Sequence, residues 1–576
     1  MSLRIPGLAS GMDTDMMVES MMKAERLKVS RYEQSRQISL WRQEAYNSMN
    51  KMFANFILNT KKELGLNKTT STGAIFGSSY KNLDYVRKAI SSNENVATVK
   101  SGKDTVNGSY SIKVESLASS GSFASAYMKD EQDKLVDGMT FTINGQEIKV
   151  NASGENVTMS DVVKAINAKT EDTKVTAFYD SNNGRIFMQN TTTGKDSTID
   201  IEVTTDTDGE SFVKALKNTT AKSIDGKVFE GANLENLNGE NAKIKYNGVT
   251  LEYSSNNINL NGLDIELKAE GTTNINVDTN VDGIFDKITK LIDDYNNLVD
   301  MASGAISEKR YSDYQPLSQD EKKAMHEDDV KLWTEKAKSG MLNRDENLTR
   351  ILQTVRNDLY RTLETEGNFK HITQIGISTE KYAKGSAGGK LQIDEDKLRK
   401  AIMEDPEGVM ELLFKEVPSK PGKPNKPNPV EKEGLSEEEL AKAMEDYNKD
   451  LKLYNEALRK YEKENKEYLK KNNGIFTTVY DNLIDGMKSI INKSGPGEDA
   501  DLLRTVNPFM LTDFVTSKSS ISDLDKEVSE MDRRIDNLNI LLARKEQSYY
   551  AKFASMEKAL AQMNSQSGWI GQQLMK

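Results

Sequence analysis

The sequence predicts an α+β multidomain chain, with an antiparallel coiled-coil or helical-bundle stalk from both chain ends and antiparallel β-rich outer domains between them. Three observations predict it. Apolar residues recur every three or four positions near both ends, the middle alternates with period two, and 576 residues exceed what one core fills. That length suits three or four domains. We expect a tail and stalk helix over 1–68 and β-rich outer domains over 69–277. The inner β domain is expected to be split over about 69–130 and 235–277, with the outer one over about 131–234. A helical bundle over 278–414, a Pro-rich linker with a charged helical insertion over 415–473, and C-terminal stalk helices with a tail over 474–576 complete the expectation.

The first helix is expected over 13–64. Asp13 or Thr14 supplies the N-cap after flexible Ala9-Ser10-Gly11, and Ile38, Trp41, Ala45, Met49, Met52 and Phe56 mark one face. Gly65 is the expected stop. From 69 to 277 the pattern turns to β, with clear alternation in Ser109-Tyr110-Ser111-Ile112-Lys113-Val114. Asn144-Gly145 and Asn247-Gly248 stand between alternating arms, and Asn-Gly tolerates the positive φ angles of a two-residue hairpin turn. The two hairpins form a weak internal repeat, with a short helix expected over 160–168 between them.

Helix returns at Val281, Ile284, Ile288, Leu291, Tyr295 and Leu298, and again at Leu348, Ile351, Leu352, Val355 and Leu359. The polar stretch 311–338 between them is expected to be irregular. Residues 415–429 hold five prolines and read as a stiff linker. Leu440, Met444, Tyr447, Leu451, Tyr454, Leu458 and Tyr461 then mark a long amphipathic helix or coiled-coil strand. Its outer face carries both signs, with twelve acidic and ten basic residues between 431 and 471. In the last helix Ile521, Leu524, Val528, Met531, Ile535, Leu538 and Leu542 keep a heptad rhythm. It resumes at Tyr549, Phe553, Met556, Leu560 and Met563 after a four-residue stutter.

Composition narrows the function. The net charge of −11 gives no basic footprint for nucleic acid. No window holds 18 consecutive apolar residues, so no membrane insertion is expected. Residues 1–19 lack the basic start and apolar run of a signal peptide, so secretion would need a dedicated export machine. With no cysteine there is no disulfide and no thiolate metal site. The two histidines, His326 and His371, lie in polar settings and read as ordinary surface or interface residues.

Apparent motifs fail in detail. Gly385-Ser386-Ala387-Gly388-Gly389-Lys390 approaches a phosphate-binding loop, but Lys384 replaces the leading glycine and Leu391 follows the lysine. A glycine turn before a strand at Leu391-Gln392-Ile393 fits better. Asp206-Thr207-Asp208-Gly209 approaches a calcium loop, yet Thr204 and Ala215 occupy its first and twelfth ligand positions, so a polar hairpin tip is expected. Acidic residues are plentiful, but an aromatic-lined, partly dry pocket for a carboxylate pair is not evident. We nominate no catalytic, metal-binding or cofactor-binding residue and expect no enzyme.

The residues expected to act are at the ends. Leu3, Ile5, Leu8, Met12, Met16, Met17 and Met21 form a methionine-rich face, and Phe553, Met556, Leu560, Met563, Trp569, Ile570 and Leu574 form another. No charge occurs between 559 and 575. Methionine adapts to more than one partner, so burial against other molecules is expected at these ends. The inner parts of both helices read as core.

Both ends also resemble one family. Gly7-Leu8-Ala9-Ser10-Gly11-Met12-Asp13-Thr14, with Val18, Met21-Met22 and Glu25, is similar to the opening of the flagellar hook-associated protein 2 (FliD) family of bacterial filament-capping proteins. Phe553-Ala554-Ser555-Met556-Glu557-Lys558-Ala559-Leu560-Ala561-Gln562-Met563-Asn564-Ser565-Gln566-Ser567, with Gln573-Leu574, is similar to its closing motif. Residues 285–299 resemble the helix by which such chains re-enter the stalk. Residues 410–414 and Asn473-Gly474-Ile475-Phe476 resemble two landmarks that usually lie closer together, so 415–473 departs from the common pattern. Leu27-Lys28 stand where a proline often occurs.

The resemblance implies export through the flagellar type III apparatus and a homo-oligomeric ring at the distal filament tip. Flagellin inserts beneath that ring, allowing elongation and motility. It implies partners in flagellin, hook-associated proteins and an export chaperone on the C-terminal helix, and in some members a part in cell adhesion. Another axial protein, flagellin or a junction protein, shares the paired helices, and an extracellular adhesin remains a further alternative.

Overall fold

The computed structural model describes residues 13–71, 74–128, 135–152, 156–203, 207–224, 227–380, 388–431 and 436–574. They belong to two compact units, Lys81–Ile284 and Met1–Tyr80 with Phe285–Lys576.

The β unit holds two cores. One lies between a five-stranded and a three-stranded antiparallel sheet. The first runs Val249–Tyr253, Ala242–Tyr246, Gly108–Ser116, Gly271–Thr279, Arg87–Ser91, and the second Asn257–Leu260, Leu263–Leu267, Ala97–Ser101. Alternation decides which side chains enter: Thr273, Ile275 and Val277 are buried while Thr272, Asn274 and Asn276 face out. Asn247 and Gly248 take φ of 47° and 89°, Asn144 and Gly145 49° and 75°, as a type I′ turn requires. A third Asn-Gly turn, Asn261-Gly262, joins Leu260 to Leu263 in the same manner. The two expected hairpins lie in different sheets and serve different cores.

The second core packs two three-stranded sheets with helices Met159–Asn167 and Thr207–Leu216. Thr158 and Asp161 form a capping box that starts the first helix. The second corrects the expected hairpin tip at 206–209. Helix begins at Thr207, because Asp208 and Glu210 suit the positive end of its dipole and Phe212, Val213 and Leu216 close one face on Phe141. Asp206 is outside the described residues.

In the helical unit the N-terminal helix spans Thr14–Glu63, with Asp13 accepting from the Met16 amide at 2.9 Å. It ends at Gly65, whose φ of 70° forms the left-handed stop. Tyr46, Phe53 and Ile57 are fully buried, and Trp41 and Phe56 nearly so. The C-terminal helix, Asp523–Leu574, runs antiparallel to it. Gln43 meets Asp525, Arg36 meets Asp532 and Glu25 meets Lys545, the paired numbers stepping in opposite directions. Leu524, Val528, Met531, Ile535, Leu538, Leu542, Tyr549, Phe553, Met556 and Leu560 are the buried or half-buried seam, so the stutter is absorbed without breaking the helix.

The stretch 311–338 is more regular than its polarity suggests. Helices Gln319–Ala324 and Glu327–Lys338 occupy it, the first started by a Ser318/Glu321 capping box. Ala337 and Met341 pack with Trp41, and Tyr314 lies 4.7 Å from the Trp333 ring. Few apolar residues suffice because two of them are large aromatics.

Residues 415–473 leave and rejoin the bundle at one point. The Gly474 amide donates to the Lys415 carbonyl at 2.7 Å, the Val417 amide to Asn473 Oδ1 at 2.9 Å, and the Phe414 and Phe476 rings are 6.3 Å apart. The arm helix, Glu437–Asn472, has 36 residues, about 54 Å at 1.5 Å per residue. Lys471 pairs with Glu364 at 3.0 Å, and Lys466 and Lys470 with Asp485 and Asp358. The Pro-rich segment returns along this helix: the Lys420 amide donates to Asn465 Oδ1 at 2.7 Å, and Tyr461 donates to the Lys420 carbonyl. Val417, Lys420, Pro424, Pro427 and Val430 are its half-buried positions, close to the three-residue repeat of polyproline II. The stiff linker therefore packs beside Tyr461 of the arm helix.

Candidate assembly surface

The N-terminal helix divides its methionines between two faces. Val18 and Met22 are buried, whereas Met16 is 60% exposed and Met17 and Met21 are also exposed. The division follows helical geometry, since 18 and 22 share a face that 17 and 21 leave by about 100°. On the C-terminal helix Phe553, Met556 and Leu560 are half-buried. Met563 and Trp569 are 64% and 61% exposed, and Ile570 is exposed beside them. The register set by Glu25 and Lys545 brings Met16–Met22 level with the stretch from about Ser548 to Ala554. Leu3, Ile5, Leu8 and Met12 lie outside the described residues, as does the side chain of Leu574, the last helical residue.

The electrostatics of the pair are concentrated away from those tips. Lys545 beside Glu25 holds its carboxyl below the usual carboxylate range. Burial pushes Asp525 up, but hydrogen bonds from Ser522 and Gln43 outweigh it and hold the group low. Beyond Lys558 the helix has no charge to pair, so only apolar and neutral polar contacts are available there. Sequence reasoning missed the seam role of Val18 and Met22; the four-residue step between them was the signal.

Elsewhere the two histidines and the glycine turn before Leu391 have structural tasks. His326 caps Glu327–Lys338 by accepting from the Asp328 amide, and His371 bonds Thr373 and the Tyr360 carbonyl. Gly388 and Gly389 take φ of 65° and 89° ahead of strand Leu391–Ile393, and Lys390 pairs with Asp300 at 2.7 Å. That pairing occupies the lysine a phosphate would need. Residues 385–387 lie outside the described residues. Among the described residues no helix is long and apolar enough to cross a membrane.

Antiparallel terminal helices with apolar side chains exposed near their ends, together with a β unit of Asn-Gly hairpins, define the class: an α+β chain with a helical stalk. The comparisons give that class a family: the chain belongs to the flagellar hook-associated protein 2 family, whose C-terminal model matches residues 239–565, more than half of the chain. The N-terminal model of the family matches 10–121, and a flagellin hook IN motif matches 139–192. A flagellar hook-associated protein 2 of Halalkalibacterium halodurans is 26% identical over 595 residues, covering 98% of each chain. An A-type flagellar hook-associated protein 2 of Pseudomonas aeruginosa is 28% identical over 343 residues, 57% of this chain and 65% of that one. The D1-D2-D3 domains of the Escherichia coli flagellar cap protein FliD give a TM-score of 0.45 at 21% identity, covering 64% of this chain and 90% of that one.

Proposed function

We propose that this protein is the structural cap at the distal end of the bacterial flagellar filament, a homo-oligomeric ring that promotes flagellin insertion and so filament elongation and motility. The observation that carries the reading is the family match at both ends of the chain. The exposed tips supply the physical means. Met16, Met17, Met21, Met563, Trp569 and Ile570 offer adaptable contacts without fixed ion pairs, as a cap that stays attached while subunits pass requires. In this reading Leu3, Ile5, Leu8, Met12, Phe553, Met556, Leu560 and Leu574 extend the same surfaces. Flagellin, hook-associated proteins and an export chaperone are the partners, and type III export delivers the chain to the tip. The five segments 1–68, 69–277, 278–414, 415–473 and 474–576 are its working divisions, and none performs catalysis.

Immunogold microscopy of source cells with antibody against residues 69–277 tests the reading. Label at the distal tips of flagella is expected. Label along the shaft or at the hook would move the protein to another axial role, and label confined to the cytoplasm would sink the proposal.

A further inference from the structure

An open groove runs between the N-terminal helix and helix Val281–Ser307, with a volume of about 540 Å³. Its floor is apolar, built from Phe56 and Leu298 with Met52 and Met301, and Met301 is 54% exposed. On the N-terminal helix it extends from Ser48 to Glu63, about 22 Å at 1.5 Å per residue. The cations on its rim are engaged within the chain. Lys51 pairs with Asp499 at 2.8 Å, and Lys290 with Glu63 at 3.2 Å and Asp294 at 3.7 Å. The remaining rim is neutral amide and hydroxyl: Ser48, Asn55, Asn59, Asn297. An acidic helix would leave its water there without gaining a free cation, which costs more than it returns. A neutral amphipathic helix loses nothing of the kind.

The chain contains a segment of that description. Residues 559–575 are uncharged and as a helix measure about 25 Å. Leu560, Met563, Ser567, Ile570 and Leu574 repeat at three and four, and Gln562, Asn564, Gln566 and Gln572 provide neutral polar flanks. The C-terminal helix is continuous from Asp523 to Leu574, and the antiparallel register brings Thr14 level with about Met556. Its own groove therefore begins 34 helical residues further back, about 50 Å away along the N-terminal helix, beyond the reach of its own tip. The arm helix is excluded as occupant by its mixed charge.

We infer that the end of the C-terminal helix, 560–574, seats in the groove between the N-terminal helix and Val281–Ser307 of a second copy. This rests on reading the ends as assembly surfaces and names the partner of one of them. The contact is head-to-tail, because groove and helix tip are different surfaces of the chain. Repetition of such a contact closes a ring when its rotation allows and otherwise extends an open chain.

The absence of cysteine makes the test clean. Full-length Met301→Cys and Met563→Cys proteins, one isotopically heavy, are mixed and treated with a short bismaleimide. A mixed adduct joining the peptides around 301 and 563 from different copies is expected. A Met563→Cys protein whose adducts form only with a second position 563, or a mixture with no adduct, overturns the inference. Asn55→Glu, an exposed rim change, is expected to abolish the mixed adduct without altering the helical circular dichroism; an unchanged yield overturns it too. Tip labelling of flagella is scored separately. A lost adduct with tip labelling intact removes the docking alone, and an adduct without tip labelling removes the capping reading alone.

Discussion

Gly474→Ala is the sharpest test of how the arm is closed. Gly474 has φ of −59° and ψ of 164°, a backbone conformation open to any residue, so glycine is not required there for its freedom. Space requires it. A Cβ would lie 2.6 Å from both the Lys415 and Phe414 amide nitrogens and 2.7 Å from the Leu413 carbonyl carbon. All three are backbone atoms, so no side-chain rotation relieves the contact, and the two strands of the arm base must separate by most of an ångström. Overpacking of this kind costs about 1–3 kcal/mol. The separation also stretches the bond from the Gly474 amide to the Lys415 carbonyl, worth about 0.5–1.5 kcal/mol. Together they predict a loss of about 1.5–4.5 kcal/mol in the helical unit. Urea unfolding followed by helical circular dichroism measures it, with a β-unit probe such as a label at an exposed strand position as internal control. A shift below about 0.5 kcal/mol, the ordinary scatter of surface substitutions, would show that 414–415 and 474 do not abut.

Three further outcomes are expected. Met22→Asp buries a carboxylate in the seam and is expected to lower amide protection over both 14–32 and 540–556, whereas exposed Met17→Asp leaves protection intact and impairs only assembly; equal effects would refute the division of faces. Tyr461→Phe removes the bond to the Lys420 carbonyl, a loss of about 0.5–1.5 kcal/mol felt locally, so faster proteolysis within 421–431 is expected and unchanged cleavage would refute the packed strand. The third concerns pH. Burial raises Glu411, but Lys415 at 2.7 Å and the Gly367 and Glu366 amides outweigh it and set the carboxyl below its ordinary 4.5. A depressed carboxylate contributes stability that is present above its unfolded value and is lost as pH falls through the folded value. Glu411→Gln is therefore expected to destabilise the helical unit by about 1–3 kcal/mol at pH 7, and to match the parent only once pH has fallen below the lowered folded value; a difference independent of pH would refute the assignment.

Where one element makes its own pattern, the sequence was enough. The terminal helices, the Asn-Gly hairpins and the arm helix all carry a period that depends only on local geometry. The exceptions have physical causes. Helix Glu327–Lys338 buries only Ala337 outright, so its periodicity is too sparse to register, and the Ser318/Glu321 capping box that starts its neighbour was overlooked in a polar stretch. Thr207–Leu216 was masked by a turn-like Asp-Thr-Asp-Gly at its start. The terminal methionines were placed at the surface as a group, but only the helical phase separates Met17 and Met21 from Val18 and Met22. The groove could not be read at all, since its walls come from segments more than two hundred residues apart.

The arm sharpens the argument about what the ends are for. It shows how this chain treats an amphipathic helix that leaves the bundle: a segment of polyproline type packs beside Tyr461, lysines pair at the base, and the remaining surface carries both signs around exposed Met444 and Leu453. The last turns of the C-terminal helix receive none of these devices. They have no charge after Lys558, and Met563, Trp569 and Ile570 stay open to water. Leaving such a stripe bare carries a penalty of solubility. That difference in charge between the two helices is what a surface reserved for another molecule predicts.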